Sequence, residues 1–308
     1  MKRIVFMGTS SFAVPILKSI SENAYKVSMV YTQPPKKSDR GQKIKKSPIQ
    51  TICEELSLKV RTPNNFDNIE EEKSILKNLK PDLVLVVAYG QIIPKELLGL
   101  YSDRFINIHA SLLPKWRGAA PIQRSIMNLD KETGITIMKI NEKLDQGDFC
   151  SQYKLKIENN ENAKNLAQRL SNLAANKIIG DLDDILENKK LFIKQNNNEA
   201  SYAKKISKTE GKINWDKSAE QIIANINGLY PNPGAWFYFK KNRYKILKAE
   251  VSNNNSVPGL VVNENLEISC GSNSIKIIKI QREGKKEQNI EDFILGTKIK
   301  KGVNLKDV

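Results

Sequence analysis

The first 150 residues alternate short apolar runs with stretches of helical spacing, and this alternation limits the fold more than any other feature. Four runs, nearly continuous in apolar residues and bounded by turn formers, predict strands at 3–8, 26–32, 83–88 and 104–109. Helical spacing lies between them, near 12–22, 48–57 and 67–79. Buried strands joined by helices predict a Rossmann-like, doubly wound, mostly parallel α/β sheet.

The pattern changes in the second half of the chain. Runs at 135–140 and 149–157 predict a hairpin-like extension of the sheet, and an amphipathic pattern over 162–187 predicts a long helix. A polar, asparagine-rich stretch follows, which is typical of a linker on the surface. After a helix near 216–228, short strands at hairpin spacing are expected at 246–251, 259–263, 266–270 and 275–280.

These patterns predict two domains. The α/β domain takes residues 1–188, the linker 189–206, and a smaller OB-like β-barrel domain 207–308. A chain of 308 residues fits two domains of roughly 150 residues each.

The cysteine and histidine counts exclude several kinds of site. Cys53, Cys150 and Cys270 lie far apart with no C-x-x-C pair, so neither a disulfide framework nor a cysteine zinc site has its usual spacing. The single histidine removes the H-E-x-x-H zinc site, and no metal is expected. No signal peptide and no stretch near the roughly 20 apolar residues that span a bilayer are seen, so a soluble, cytoplasmic protein is expected.

That histidine, His109, closes the strand predicted at 104–109. Ligands of open α/β sheets bind outside the carboxyl ends of the strands, and His109 lies at such an end. Because side chains alternate along a strand, Asn107 projects to the same side, and the pair suits hydrogen bonding to one developing oxyanion. The alternative is a buried, hydrogen-bonded histidine at a strand end.

A second polar cluster, L-D-Q-G-D at 144–148, follows the strand predicted at 135–140. Gly147 is expected to permit a tight turn, from which Asp145 reaches the same crevice. An aspartate beside a histidine favours the imidazolium and orients the ring, as general acid–base chemistry requires. Taken on its own, the cluster favours the alternative, an ordinary Asp-Gly turn.

The chain is strongly basic, with 50 Lys and Arg against 34 Asp and Glu and a net charge of +16. Such an excess attracts polyanions, although a compositional bias that aids solubility explains it as well. The segment 33–48 concentrates six basic residues against one acid, and it leaves the strand edge that holds the predicted site. Its basic residues are Lys36, Lys37, Arg40, Lys43, Lys45 and Lys46. A merely solvated loop remains the alternative.

A family resemblance covers nearly the whole chain. The string N-I-H-A-S-L-L-P-K-W-R-G-A-A-P-I-Q-R-S-I, followed by E-T-G-I-T-I-M-K-I and L-D-Q-G-D, resembles the methionyl-tRNA formyltransferase family and, more broadly, the folate-dependent formyltransferases. The strings F-M-G-T-S near the start, Y-A-K-K-I-S-K at 202–208 and L-Y-P-N-P-G-A-W at 229–236 are similar to further landmarks of the family.

The resemblance implies a reaction. Asn107, His109 and Asp145 would be catalytic, and the loop Ser111, Leu112, Leu113 and Pro114 would contact the folate. The formyl group of 10-formyltetrahydrofolate would pass by direct amine attack to the α-amine of initiator methionyl-tRNA, for translation initiation. The fold implied is the formyltransferase fold, and a monomer is expected.

The resemblance also implies how the tRNA is held. The 33–48 loop would engage the acceptor end, with Arg40 among the bases and lysines on phosphates, and the C-terminal domain would grip the tRNA body. Trp236, Phe237 and Tyr238 are candidates for base stacking, although core packing is expected for at least two of them.

Three other functions are weighed. A folate-dependent formyltransferase acting on a small amine, such as a sugar nucleotide or a purine precursor, would share the same trio, but the basic segments argue against it. A nicotinamide-dependent dehydrogenase would need G-x-G-x-x-G after the first strand, where the chain has G-T-S-S-F-A. A non-catalytic RNA-binding protein explains the charge but gives no joint reason for Asn107, His109 and Asp145.

Overall fold

The computed structural model describes residues 1–38, 43–297 and 299–306. The chain divides into two compact units. The first comprises residues 1–118, 133–155 and 167–202, and the second comprises residues 119–132, 156–166 and 203–308. No helix among the described residues is long and apolar enough to cross a membrane.

A seven-stranded mixed sheet forms the centre of the first unit. Its strands are β1 (Lys2–Gly8), β2 (Tyr25–Tyr31), β5 (Val60–Arg61), β6 (Leu83–Val87), β7 (Phe105–His109), β9 (Glu132–Lys139) and β10 (Phe149–Lys156). Short strands β3 (Lys36–Ser38), β4 (Lys43–Lys45), β8 (Arg117–Gly118) and β11 (Tyr202–Ala203) complete the numbering up to this point.

The order of the sheet is β10-β9-β7-β6-β1-β2-β5. Neighbours from β7 to β5 are parallel, and β9 is antiparallel to β7. All five residues of β6 are buried, as are the last five of β1, which is what strands covered on both faces require. The doubly wound, mostly parallel sheet predicted from the sequence is confirmed.

The helices begin and end where local chemistry favours it. They are α1 (Val14–Ser21), α2 (Pro48–Glu55), α3 (Ile69–Leu79), α4 (Lys95–Leu98), α5 (Pro121–Met127) and α6 (Ala163–Leu186). The Ser47 side chain accepts a hydrogen bond from the Gln50 N–H and caps α2, with proline in its first turn. Asn68 caps α3 in the same way, and that helix ends at Lys80 in the left-handed conformation.

The second unit contains an antiparallel sheet in the order β12-β13-β15-β14, with β16 on β15. The elements are β12 (Ala235–Phe239), β13 (Asn242–Ser252), β14 (Glu267–Ser269), β15 (Ser274–Arg282), β16 (Gln288–Asn289), α7 (Ala219–Gly228) and α8 (Ile290–Gly296). The inward face packs Phe237, Tyr244 and Ile277 into one core with residues of both helices. The small C-terminal β domain is therefore confirmed as an antiparallel sheet domain.

One predicted strand is wrong. The apolar run 259–263 forms no strand, because Leu260 and Val261 make only isolated bridges, to Asn304 and Ile268. The Val261 backbone instead bonds to a late segment of the chain, accepting from Gly302 and donating to Val303. Elements of the second unit that were not predicted include α5, β12, β16 and α8.

Candidate active site

His109 lies at the carboxyl end of β7, buried except for 6% of its surface. Its Nε2 is 2.9 Å from the Trp116 carbonyl oxygen. A carbonyl oxygen can only accept a hydrogen bond, so Nε2 carries the hydrogen and donates it. The other ring nitrogen, Nδ1, is thereby left to face the remaining polar group of the site.

That group is the Asp145 carboxylate, with Oδ2 at 3.6 Å from His109 Nδ1. The same oxygen accepts a hydrogen bond of 2.8 Å from the Gly118 N–H. Both side chains are largely shielded from solvent, so their electrostatic interaction is only weakly screened. The carboxylate is therefore placed to orient the imidazole ring.

Asn107 completes the predicted trio. It lies two residues before His109 on β7, on the same face, and its side chain is half-buried. Within the described part of the chain its amide makes no hydrogen bond, which leaves both the donor and the acceptor free for a substrate. The structure thus brings all three predicted residues to one edge of the sheet.

The turn at 144–147 is built differently from the predicted one. The residue with left-handed backbone is Asp145, with φ of 51°, and Gly147 does not have a positive φ. Glycine is required at 147 because an added Cβ would lie 1.9 Å from the Lys139 carbonyl oxygen. The glycine therefore permits close approach of two backbones, and the strain is carried by the aspartate itself.

The loop Ser111, Leu112, Leu113 and Pro114 follows β7 directly. Ser111 and Leu113 are buried, and the Ser111 hydroxyl donates to the Lys115 carbonyl at 2.6 Å. Leu112 and Pro114 are only half-buried and present the accessible surface of the loop.

Two residues that the sequence did not indicate hold this loop. The Thr136 hydroxyl donates to the Ser111 carbonyl at 2.7 Å and accepts from the Leu113 N–H at 3.0 Å. The Gln152 amide donates to the Leu113 carbonyl at 2.6 Å. Thr136 lies in β9 and Gln152 in β10. Polar residues at intervals along a strand are ordinary, so the sequence did not indicate that these two contact the loop.

A cavity of about 360 Å³ is lined by residues close in sequence to the trio, although none of the three lines it. Its wall includes Phe105, which shares the face of β7 with Asn107, and Gly147 and Asp148, which follow Asp145. Leu98 and Ile140 add apolar surface, with Lys95, Lys139 and Glu142 among the charged groups. Its lining comes from separate stretches of chain, so no single motif indicated it.

The basic segment predicted as a loop is instead a β-hairpin in its described residues. β3 and β4 pair antiparallel, with Lys36 opposite Lys45, Lys37 opposite Ile44, and Ser38 opposite Lys43. Lys36 donates to the Gln33 side chain at 2.5 Å, and Lys46 forms an exposed ion pair with Glu54 at 2.7 Å. Arg40 lies outside the described residues.

Of the three aromatic residues considered for base stacking, only Phe237 is in the core; the fourth aromatic residue of β12, Phe239, is buried there as well. The prediction that at least two pack inside is therefore wrong. Trp236 and Tyr238 lie on the other face, where their rings make an edge contact at 5.1 Å and the Arg243 guanidinium lies 5.6 Å from the Trp236 ring centre. These side chains form an aromatic patch on this face with one basic group, Arg243, which is also ion-paired with Glu283.

Comparison with known proteins gives a consistent result. Residues 1–182 match the family described as "Formyl transferase", and residues 205–298 match "Formyl transferase, C-terminal domain". The chain is 59% identical, over 308 residues, to a protein of Pelagibacter ubique named methionyl-tRNA formyltransferase, covering 100% of this chain and 99% of that protein.

Two solved structures share the fold. One is a methionyl-tRNA formyltransferase from Clostridium thermocellum, with a TM-score of 0.59, 21% identity, and coverage of 84% of this chain and 97% of the other. The second is a sugar 3N-formyl transferase crystallised with dTDP and 5-N-formyl-THF, with a TM-score of 0.66, 22% identity, and coverage of 93% and 99%. At these identities the likeness establishes the fold alone.

Proposed function

The chain belongs to the methionyl-tRNA formyltransferase family, and from this premise we propose that it transfers the formyl group of 10-formyltetrahydrofolate to the α-amine of initiator methionyl-tRNA. The observation that carries the proposal is the His109–Asp145 pair beside the free amide of Asn107, at the carboxyl edge of the sheet. The product is N-formylmethionyl-tRNA, for translation initiation.

The reaction needs a new C–N bond to the amine and the loss of the C–N10 bond of the folate. The uncharged amine attacks the formyl carbon and passes one proton to His109 Nδ1, and the negative charge that develops on the formyl oxygen is met by the Asn107 amide and by the resulting imidazolium. One proton leaves the attacking amine and one reaches N10, and the His109–Asp145 pair holds the proton between these steps. No covalent enzyme intermediate is required.

The folate donor fits the surroundings of the trio. The cavity beside Phe105 offers apolar walls with a polar rim to the flat pteridine ring, and Asn107 lies next along the same strand face. The half-buried Leu112 and Pro114 offer the loop surface for the rest of the donor. The formyl group is then presented between the cavity and His109.

The acceptor is a polyanion, and two surfaces of the chain suit it. The segment 33–48, which includes the hairpin of β3 and β4, contains the six predicted basic residues. The outer face of β12 and β13 combines Trp236 and Tyr238 with Arg243, so it can stack on bases while neutralising phosphates. A small sugar nucleotide would use neither surface.

The test is a formyl-transfer assay with 10-formyltetrahydrofolate and methionyl-tRNA. We expect product from the wild type and a loss of roughly 10²-fold or more in kcat for Asn107→Ala and His109→Ala. If Asn107→Ala and Asp145→Ala each stayed within about twofold of the wild type, the catalytic assignment would be refuted.

A second arm tests the acceptor. Replacing Lys36, Lys45 and Lys46 by alanine should raise KM for the tRNA and reduce its salt dependence, because fewer counterions are released on binding. The matched control replaces Lys2, Lys26 and Lys77, exposed lysines placed toward the opposite edge of the sheet. Turnover of sugar-nucleotide amines but not of methionyl-tRNA would refute the proposed acceptor, whereas the proposed folate donor would still be supported.

A further inference from the structure

Arg117 is among the largest fully buried side chains of the molecule, with 1% of its surface exposed. Its guanidinium donates to the Gln195 side-chain oxygen from Nε at 3.0 Å and from a terminal nitrogen at 2.7 Å, and that nitrogen also donates to Asn197 Oδ1 at 2.9 Å. Across the described residues these acceptors are neutral amides, and no carboxylate pairs with it. A buried cation held only by amides calls for an explanation.

Gln195 connects that cation to the active-site turn. While its oxygen accepts both bonds from Arg117, its Nε2 donates to the Asp145 carbonyl at 2.9 Å and to the Gly147 carbonyl at 2.8 Å. Two donors and two acceptor positions are the full capacity of an amide side chain, so Gln195 is saturated. The charge on Arg117 polarises the amide and strengthens the bonds that it makes to the turn.

The turn depends on these bonds because it contains little hydrogen bonding of its own. The backbone bond within it, from the Gln146 N–H to the Lys143 carbonyl, is 3.5 Å long, and Asp145 is in the left-handed conformation. Gln195 donates hydrogen bonds to the carbonyls of the residues on both sides of Gln146. The Asp145 carboxylate, 3.6 Å from His109 Nδ1, is held at its tip by the Gly118 N–H and at its main chain by Gln195.

We propose that Gln195, locked by the buried Arg117, is a positioning residue for formyl transfer: it fixes the main chain of the 145–147 turn so that the Asp145 carboxylate meets His109. The inference rests on the proposed function, because formyl transfer is the step that the position of Asp145 would control. It also gives the segment predicted as a linker, 189–206, a direct part in building the site.

The substitution Gln195→Glu separates this role from a merely structural one. Its carboxylate keeps an oxygen for Arg117 and adds an opposite charge, so the fold should keep its melting temperature. The same change removes both N–H donors and turns an acceptor toward the Asp145 and Gly147 carbonyls, which repels the turn. A second variant, Gln195→Met, removes the bonds without adding charge, at similar volume.

We expect kcat for methionyl-tRNA to fall by about tenfold or more in Gln195→Glu, since displacing a reacting group by about 1 Å can cost about 10²-fold, while KM for both substrates stays within about twofold. Gln168→Glu gives the same change of net charge on the exposed face of α6, where the side chain donates a hydrogen bond to Asn172, and should match the wild type. A kcat within about twofold of the wild type at an unchanged melting temperature would overturn the inference. So would a loss of kcat that merely follows a loss of melting temperature in both Gln195 variants.

A measurement that does not depend on enzymatic activity separates this test from the test of the proposed function. The chain has one histidine, so its ring C–H correlations in a two-dimensional ¹H–¹³C NMR spectrum report His109 alone. We expect the signals of Gln195→Met to move from the wild-type positions toward those of Asp145→Asn, with Gln168→Glu unmoved. Unmoved signals in Gln195→Met would refute the positioning role. A wild type that moved no formyl group would refute the proposed function and leave this result to stand by itself.

Discussion

Replacing Gly147 by alanine should damage catalysis more than any conservative change elsewhere in the turn. An added Cβ would lie 1.9 Å from the Lys139 carbonyl oxygen and 2.8 Å from its carbon, whereas real Cβ contacts stay beyond 3.0 Å. Both obstacles are backbone atoms of β9, so no side-chain rotation relieves the overlap. The turn must retreat from β9 by more than 1 Å.

The size of that movement sets the expected losses of stability and of kcat. The Lys139 N–H donates to the Asp148 carbonyl at 2.8 Å, and a movement of this size breaks the bond. Overpacking of this kind costs roughly 1–3 kcal/mol of stability. Asp145 moves with the turn, and a displacement of about 1 Å at the reacting groups is worth roughly 10²-fold in kcat.

The assay measures kcat and the free energy of unfolding for Gly147→Ala beside Gly180→Ala. Gly180 lies inside α6 with no atom within 4 Å of an added Cβ. The control should therefore keep its activity and gain about 0.5–1 kcal/mol, the usual advantage of alanine over glycine in a helix. Wild-type kcat in Gly147→Ala would show that close approach to Lys139 does not set the position of Asp145.

Two further predictions concern the titration of thiols and the C-terminal core. Burial raises the pKa of the Cys53 and Cys270 thiols to about 12 and that of Cys150 to about 11, so all three should react slowly with a thiol reagent at pH 8. Because the folded state holds these protons more tightly, the free energy of unfolding should be level below pH 9 and fall between pH 9 and pH 12; a level profile there would contradict the burial. Phe237→Ala should cost about 3–5 kcal/mol in denaturant unfolding, whereas Tyr238→Ala on the opposite face should cost far less and instead raise KM for the tRNA; equal stability losses would contradict the assignment of faces.

The central sheet was predictable because its strands carry an unambiguous pattern. The run predicted at 83–88 became Leu83–Val87, and that at 104–109 became Phe105–His109. A strand buried on both faces must be apolar along its length, and few other elements have that composition at such short length. Their parallel, doubly wound arrangement was predicted from the alternation of strands with helices and needed no side-chain detail.

The second unit was less predictable, because its strands are defined by partners distant in sequence. The run 259–263 is as apolar as a strand, but Val261 is bonded to residues 302–303 and bridged to Ile268, so tertiary contacts decide its conformation. Conversely, β12 reads A-W-F-Y-F, with no polar residue to mark which face is outside. Its alternation appears only when Lys245 and Arg243 are seen opposite Trp236 and Tyr238.

At the site, the sequence indicated side chains and missed the main chain. His109, Asn107 and Asp145 were predicted as candidates because polar groups at strand ends are conspicuous in the sequence. The groups that orient them, the Trp116 carbonyl and the Gly118 N–H, belong to the backbone, and every residue has both. Gln195 was missed for another reason: a polar residue in a polar stretch gives no sign of burial.

A main-chain contact can still be detected indirectly, because it requires particular backbone dihedral angles at the residues that make it. Trp116, whose carbonyl bonds to the histidine ring, and Gly118, whose N–H bonds to Asp145, both have positive φ, of 61° and 118°. The second value lies where side chains are rarely tolerated, so the glycine of W-R-G is explained by its N–H reaching Asp145 Oδ2. One three-residue segment therefore fixes the tautomer of His109 through one bond and the carboxylate of Asp145 through another. Because both bonds come from the same short backbone, a displacement of that segment disturbs the imidazole and the carboxylate together, and effects of substitutions there should not add.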